Sequence, residues 1–255
     1  MEFWQSAINS QIPLYLFNYK LNYYTDKILC LYFKDIRLKH LKLLLPNYPK
    51  NIEEMQIIRF CLEQLFLCSF EKAEFYRIMI NPQIIKLLFE NNKNILSVYQ
   101  TFLCPSTYKN QFKFISDHLI ITEFIKIDFS FMDSEEVQNN LLLKLLLNSG
   151  KRIVCVYIEY IEDISIFYNL IINNIKMSTN CSEIVPYIIF GKSGYLKMKI
   201  KADKIEIKGN EKISFCEYTN IYNPKIKCLA KFSYCRVREP DEEIISLIEI
   251  RLIRN

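Results

Sequence analysis

The chain has 255 residues, of which 51% are apolar and 24% charged, and it carries a formal net charge of +5. That balance excludes an intrinsically disordered chain, and the length lets one large domain bury most of its apolar surface. The positive excess is small and spread along the whole sequence, which argues against nucleic acid as a partner. No run reaches the ~18 uninterrupted apolar residues of a membrane helix, and the best candidate, Leu141–Leu147, is broken by Lys144.

Nine cysteines, an odd number, are scattered mostly inside apolar runs, where a thiol behaves as a small hydrophobe. The opening Met1-Glu2-Phe3-Trp4-Gln5-Ser6 has no basic stretch followed by an apolar one, so no secretory leader is expected. Together these point to a reducing compartment, cytoplasmic or nuclear. The sequon Asn180-Cys181-Ser182 would matter only in a secreted protein.

The first fifty residues read as β-rich. Ile12–Tyr19 and Ile28–Phe33 are runs of β-formers separated by the polar stretch Lys20–Lys27, the pattern of a hairpin, and Pro46 and Pro49 close the region. A helix follows. Asn51 is placed to cap it, Glu54 stands three residues on in capping-box position, and Ile58, Cys61, Leu62, Leu65 and Cys68 draw one apolar stripe. A strand over Phe75–Ile80, ended by Asn81-Pro82, precedes a short helix over Gln83–Asn91.

From about residue 110 helices and strands alternate. The helix Phe112–Ile121 leads to the strand Ile125–Phe131, the helix Ser134–Asn148 to Ile153–Ile158, and the helix Asp163–Met177 to Val185–Phe190. Strand starts at 125, 153 and 185 are 28 and 32 residues apart, a length suited to right-handed crossovers between parallel strands. The period borders on that of leucine-rich repeats, although their leucine–asparagine signature is absent. After residue 200, Lys204–Lys208, Lys225–Tyr234 and Ile244–Ile253 either continue the sheet or form an antiparallel cap. The expected fold is a single α/β domain: an irregular leucine-rich-repeat-like sheet of largely parallel strands with helices. A β-rich N-terminal segment (1–50) and an α/β section (51–110) come before the helix–strand repeats (111–255).

Residues that carry chemistry are sparse. No two cysteines stand two to four residues apart, as the paired ligands of structural zinc do; the nearest pairs, 61/68 and 228/235, are seven apart. Of the two histidines, His40 lies among leucines alternating with basic residues. His118 follows Asp117, but helix neighbours point to different faces, which suggests a helix-end role. Gly191-Lys192-Ser193-Gly194 lacks the upstream glycine of a phosphate loop and opens no helix, so it reads as a tight turn. Glu53/Glu54, Glu135/Glu136 and Glu242/Glu243 fall at element starts, where negative charge suits the helix dipole. No enzyme activity, cofactor or metal is expected. Lys197, Lys199 and Lys201 alternate at strand period, either as a docking stripe for an acidic partner or as a lysine-protected edge. Tyr157 and Glu159 mark the sheet face on which a partner is first to be sought.

Several segments resemble a known family. Trp4-Gln5-Ser6-Ala7-Ile8 and Ile12-Pro13-Leu14-Tyr15-Leu16 are similar to the opening of a large family of plant-parasitic nematode F-box proteins. The run from Leu45-Pro46-Asn47-Tyr48-Pro49 to Met55 strengthens the likeness, as do Leu62 to Phe66, Ile80-Asn81-Pro82-Gln83 and Leu87 to Asn91. Leu170-Ile171-Ile172, Cys181-Ser182, Val185-Pro186 and Ile221-Tyr222-Asn223-Pro224-Lys225 extend it to later segments. In that family an N-terminal F-box grips the Skp1 adaptor of a ubiquitin ligase. The likeness here begins beyond the F-box, so it implies the substrate-recognition half, with Skp1 binding not expected. The resulting expectation is a non-catalytic protein-recognition module with a protein target and neither nucleic acid nor membrane as partner. A secreted or host-directed effector-like binding protein is the alternative, and an enzyme with a dispersed active site ranks third.

Overall fold

The computed structural model describes residues 2–17, 29–32, 40–43, 45–75, 78–89, 95–103, 108–130, 135–161, 164–196, 200–208, 211–236 and 243–254. These form two compact units, Met1–Glu123 and Phe124–Asn255. Each unit combines helices with a sheet, a mixed α/β arrangement.

The first unit opens on a helix, α1 (Glu2–Asn9), before any strand. Its end is a Schellman turn, in which the Ile12 N–H donates to the Ala7 carbonyl (3.1 Å) and the Gln11 N–H to that of Ile8 (3.0 Å). Gln11 sits at φ 49°. Glycine adopts that conformation freely, and a side chain there costs about 1 kcal/mol.

The expected N-terminal hairpin does not form. β1 (Tyr15–Phe17) pairs antiparallel with β5 (Ile78–Ile80), while β2 (Leu29–Tyr32) pairs with β3 (His40–Leu43) and β4 (Ser69–Phe75). Two asparagines account for the placement of β1. Asn47 accepts the Leu14 N–H on its carbonyl (2.7 Å) and the Tyr15 N–H on Oδ1 (2.8 Å). Buried Asn81 donates its N–H to the Leu14 carbonyl (2.8 Å) and Nδ2–H to that of Pro13 (2.8 Å). Residues 13–15 are thereby held beside residue 81.

Helix α2 (Ile52–Phe66) begins as the sequence predicts, with the Glu54 N–H donating to Asn51 Oδ1 at 2.8 Å. The Glu54 carboxylate reaches one residue further back than in a standard capping box, to the Lys50 N–H (2.7 Å). Met55, Ile58, Leu62 and Leu65 form its buried face, and Cys61 and Cys68 flank this stripe half-buried instead of lying on it. α3 (Pro82–Phe89) is capped by Asn81, whose Oδ1 accepts the Gln83 N–H (3.0 Å), and crosses over from β4 to the parallel strand β6 (Leu96–Leu103). α4 (Tyr108–His118) packs Phe114 against Phe75 (5.6 Å) and runs straight into β7 (Leu119–Asp128), which starts six residues before the expected strand.

In the second unit, α5 (Glu135–Asn148) connects β7 to β8 (Cys155–Glu159), and α6 (Ile164–Met177) connects β8 to β9 (Tyr187–Leu196); the three strands are parallel neighbours. The sheet then continues antiparallel through β13 (Glu243–Arg254), β12 (Ile226–Arg236), β11 (Glu211–Thr219) and the edge strand β10 (Lys204–Lys208). In this unit two parallel pairings are followed by four antiparallel ones, so the sheet is mixed. Gly191 and Gly194 lie within β9, which corrects the tight turn expected there. Gly150 does end α5. Its N–H donates to the Glu183 carbonyl (2.7 Å), and a Cβ there would collide with the Ile184 backbone.

Strands β7, β8 and β9 follow one another in the same direction, so right-handed crossovers put both α5 and α6 on one side of the sheet. Phe167 and Tyr168 of α6 pack on Phe190 (6.3 Å) and Phe232 (5.3 Å) of that side. The C-terminal carbonyls of α6 have no partner within the helix, and the β11–β12 turn supplies one. Buried Asn220 donates to the carbonyls of Ile175 (2.6 Å) and Ser178 (2.8 Å), and the Ile221 N–H donates to Lys176 O (3.0 Å). The Asn220 Oδ1 accepts the Tyr222 and Asn223 N–H groups at 2.9 and 2.8 Å, so both ends of the amide are in use. Asn220→Ala strands carbonyls and N–H groups together. Urea denaturation at neutral pH is expected to show a loss of ~2–3 kcal/mol, and a loss within the ~0.5 kcal/mol of ordinary surface changes would remove the clamp from this account.

Candidate functional site

With α5 and α6 on one side, the sheet of the second unit has an opposite face that neither of these helices covers, and its side chains follow from strand alternation. Val156 and Ile158 of β8, Ile188 and Phe190 of β9, and Ile248 and Ile250 of β13 are buried toward the helices. Residues of opposite parity face the other way. The pairing registers place Lys126, Tyr157, Ile189, Glu249, Lys231, Phe215 and Lys204 in one unbroken row across the seven strands.

Charges and rings in this row contact one another. Lys126 Nζ lies 5.6 Å from the Tyr157 ring centroid and 2.9 Å from Glu159 Oε2. Lys231 Nζ is 2.6 Å from Glu249 Oε1, and the Tyr187 hydroxyl donates to Glu249 Oε2. Lys204 Nζ stands 5.9 Å from the Phe215 ring. Cation–ring contacts of this kind contribute on the order of 0.5–1 kcal/mol at exposed sites. Burial alone would raise the Glu249 carboxyl, but the hydrogen bonds from Lys231 and Tyr187 outweigh it and hold the group below its usual range. The Tyr187 hydroxyl is pushed up, first by burial and then by the adjacent Glu249.

The residues expected to mark a partner surface divide accordingly. Tyr157 is half-buried on the helix-free face, its ring lying where Gly191 offers no Cβ. Glu159 shares that face but is only 2% exposed and ion-paired with Lys126. The next residue, Tyr160, is exposed at φ 58° and ends the strand in a left-handed conformation. Lys197 and Lys199 lie outside the described residues. Lys201 is exposed but belongs to no strand; its carbonyl accepts the Cys216 thiol at 3.6 Å, so the lysine stripe does not continue through it. β11, beside Lys201, is four strands away from β8, roughly 19 Å at ordinary strand spacing, so Lys201 and Tyr157 are not brought together.

Three further features are not legible in the sequence. Lys126, Lys231 and Glu249 carry no local signal because their partners come from strands distant in the chain. In the first unit, Lys72 repeats the same chemistry, with Nζ 2.5 Å from Glu74 and 4.7 Å from the Phe102 ring, and Gln100 Nε2 donates to Glu123 at 2.5 Å. On α2 Ile57 and Phe60, and just past its end Leu67, are exposed on the side away from its buried stripe. Their i, i+3, i+10 spacing shows a second apolar line on a helix whose first line fills the core. His118 ends α4 with its ring 5.6 Å from Phe114, and Asp117 pairs instead with Lys113 at 2.5 Å.

Among the described residues no three His, Cys, Asp or Glu side chains are placed to share a metal ion, and no helix is long and apolar enough to cross a membrane. Burial raises the thiols of Cys181, Cys216 and Cys228, the last up to about 12, which keeps it in the poorly nucleophilic thiol form at neutral pH.

Because the folded-state pKa of Glu249 is depressed, its stabilising effect is present above the ordinary value of 4.5 and is lost as pH falls through the folded value. The stability difference between the wild type and Glu249→Gln should be constant near neutrality and shrink below about pH 4.5. Denaturation curves at pH 7, 5, 4 and 3 measure it, and a difference that does not change with pH would contradict the Lys231–Glu249–Tyr187 linkage.

No curated protein and no solved structure matches the chain. Residues 1–130, which include the segments tied together by Asn47 and Asn81, match one family model. That match takes in 130 of the 255 residues, and the chain therefore belongs to the family described as Domain of unknown function (DUF8381).

Proposed function

We propose that the protein is a non-catalytic protein-recognition module that receives its target on the helix-free sheet face of the second unit. The observation that carries this reading is the row Lys126–Tyr157–Ile189–Glu249–Lys231–Phe215–Lys204, which sets aromatic and aliphatic surface between charged groups on a rigid lattice. Rings flanked by positive charge are typical anchors of protein interfaces. The mutual pairing of Lys126 with Glu159 and of Lys231 with Glu249 supports a binding role over acid–base chemistry, since each carboxylate already has an ammonium partner.

On this reading the helices serve as a backing layer and the sheet as an irregular leucine-rich-repeat-like display. The resemblance to the substrate-binding half of F-box ubiquitin-ligase adaptors supplies the class of role, recognition of a protein target in the cytoplasm or nucleus. A photo-crosslinking residue at Tyr157 should yield discrete adducts with a protein target in cells that express the chain, whereas the same residue at Leu170, exposed on α6, should not. Equal labelling from both positions, or adducts from Leu170 alone, would overturn the assignment.

A further inference from the structure

Strand β10 ends the sheet of the second unit, and among the described residues it pairs with β11 alone. Its sequence, Lys204-Ile205-Glu206-Ile207-Lys208, reads the same in both directions. Ile205 and Ile207 fall on the helix-bearing side by register, opposite Ser214 and Lys212, yet they are 56% and 74% exposed. Lys204 and Glu206 alternate on the helix-free side, paired with each other at 2.6 Å. An edge strand presents a row of backbone donors and acceptors, and natural edges are normally kept from pairing by charge or by a cover. Here each charge stands two residues from its opposite, so the edge complements a copy of itself.

We infer that β10 joins two copies of this chain by antiparallel pairing about a two-fold axis through Ile205. In that register Ile205 lies opposite its symmetry mate, and Lys204 of each copy faces Glu206 of the other. The Lys204–Glu206 pair already within each strand then becomes a closed ring of four alternating charges. A register shifted by one residue in each strand would set Glu206 against Glu206 and Lys204 against Lys208, and like charges directly opposite are destabilising. The two-fold makes the contact isologous, so it closes at two copies and does not propagate into a fibre. The apolar surface of Ile205 is covered by the same surface from the second copy.

The test is the mass of the full chain in solution, measured by sedimentation equilibrium up to concentrations on the order of 100 μM, because a single-strand contact lies at the small end of specific interfaces. The wild type is expected to reach twice its monomer mass. Lys204→Glu and Glu206→Lys each oppose like charges in the proposed register and should be monomeric over the same range. An equimolar mixture of the two variants should regain the dimer, since two carboxylates on the edge of one chain then face two ammonium groups on the edge of the other. Circular dichroism of each variant establishes that it is folded, and the mixture is informative because a merely misfolded chain would not be rescued by its partner. A monomeric wild type throughout the range, single variants that dimerise like the wild type, or a mixture that stays monomeric would each overturn the proposal.

Discussion

A right-handed crossover between neighbouring parallel strands places its helix on one particular side of the sheet. When the strands follow one another in a single direction, every helix lands on that same side. β7, β8 and β9 do this, so α5 and α6 share one layer and leave the opposite face to the other side chains of the strands. Much else in the second unit follows from that constraint. Phe190 and Phe232 are buried because α6 brings Phe167 and Tyr168 onto them, while Tyr157 and Phe215, of opposite parity, keep part of their rings accessible. A sheet whose strand order reversed midway would have helices on both faces and no such surface.

The antiparallel half depends on how α6 ends. The last carbonyls of a helix must find donors elsewhere, and for Ile175 and Lys176 they come from the β11–β12 turn through Asn220 and Ile221. The short turn Cys181–Glu183 is bound into the same place, with Arg254 donating to the carbonyls of Cys181 (2.8 Å) and Ile184 (3.2 Å). A side chain near the end of β13 and one at a hairpin turn thus anchor the link between the last helix and β9. The first unit uses Asn47 and Asn81 in a parallel way. Conformationally simple amides with both donors and acceptors, placed where loops meet, do more to fix this topology than any charged pair on its surface.

Helices are the most legible elements. The Asn51 cap and the apolar period of α2 are local signals, and α5 and α6 lie within a residue of their expected bounds. α1 is hidden because its terminator is Gln11, which takes the left-handed position usually held by glycine, and because eight residues give little room for a period. Strand positions can be read from β-formers, but strand partners cannot. β1 leaves the apparent hairpin for β5 owing to hydrogen bonds made by residues 47 and 81, and β11 is obscured because Lys212, Glu217 and the serine between them mask its alternation. For the surface, Tyr157 is legible as a sheet residue. The burial of Glu159 is not, because it depends on Lys126 from the neighbouring strand.

Charges that are already paired shape what such a face can bind. A partner that drew Lys231 away from Glu249 would leave a half-buried carboxylate held by Tyr187 alone, and removing one member of a desolvated pair costs several times what an exposed pair contributes. The rings of Tyr157 and Phe215 can be covered while both pairs stay intact. Lys126 and Lys204, at the two ends of the row, are paired as well, with Glu159 and Glu206, so the ends of the row are charge-compensated like its middle. Gly191 gives the Tyr157 ring its room, and Ile189 and Phe215 are the other apolar members of the row.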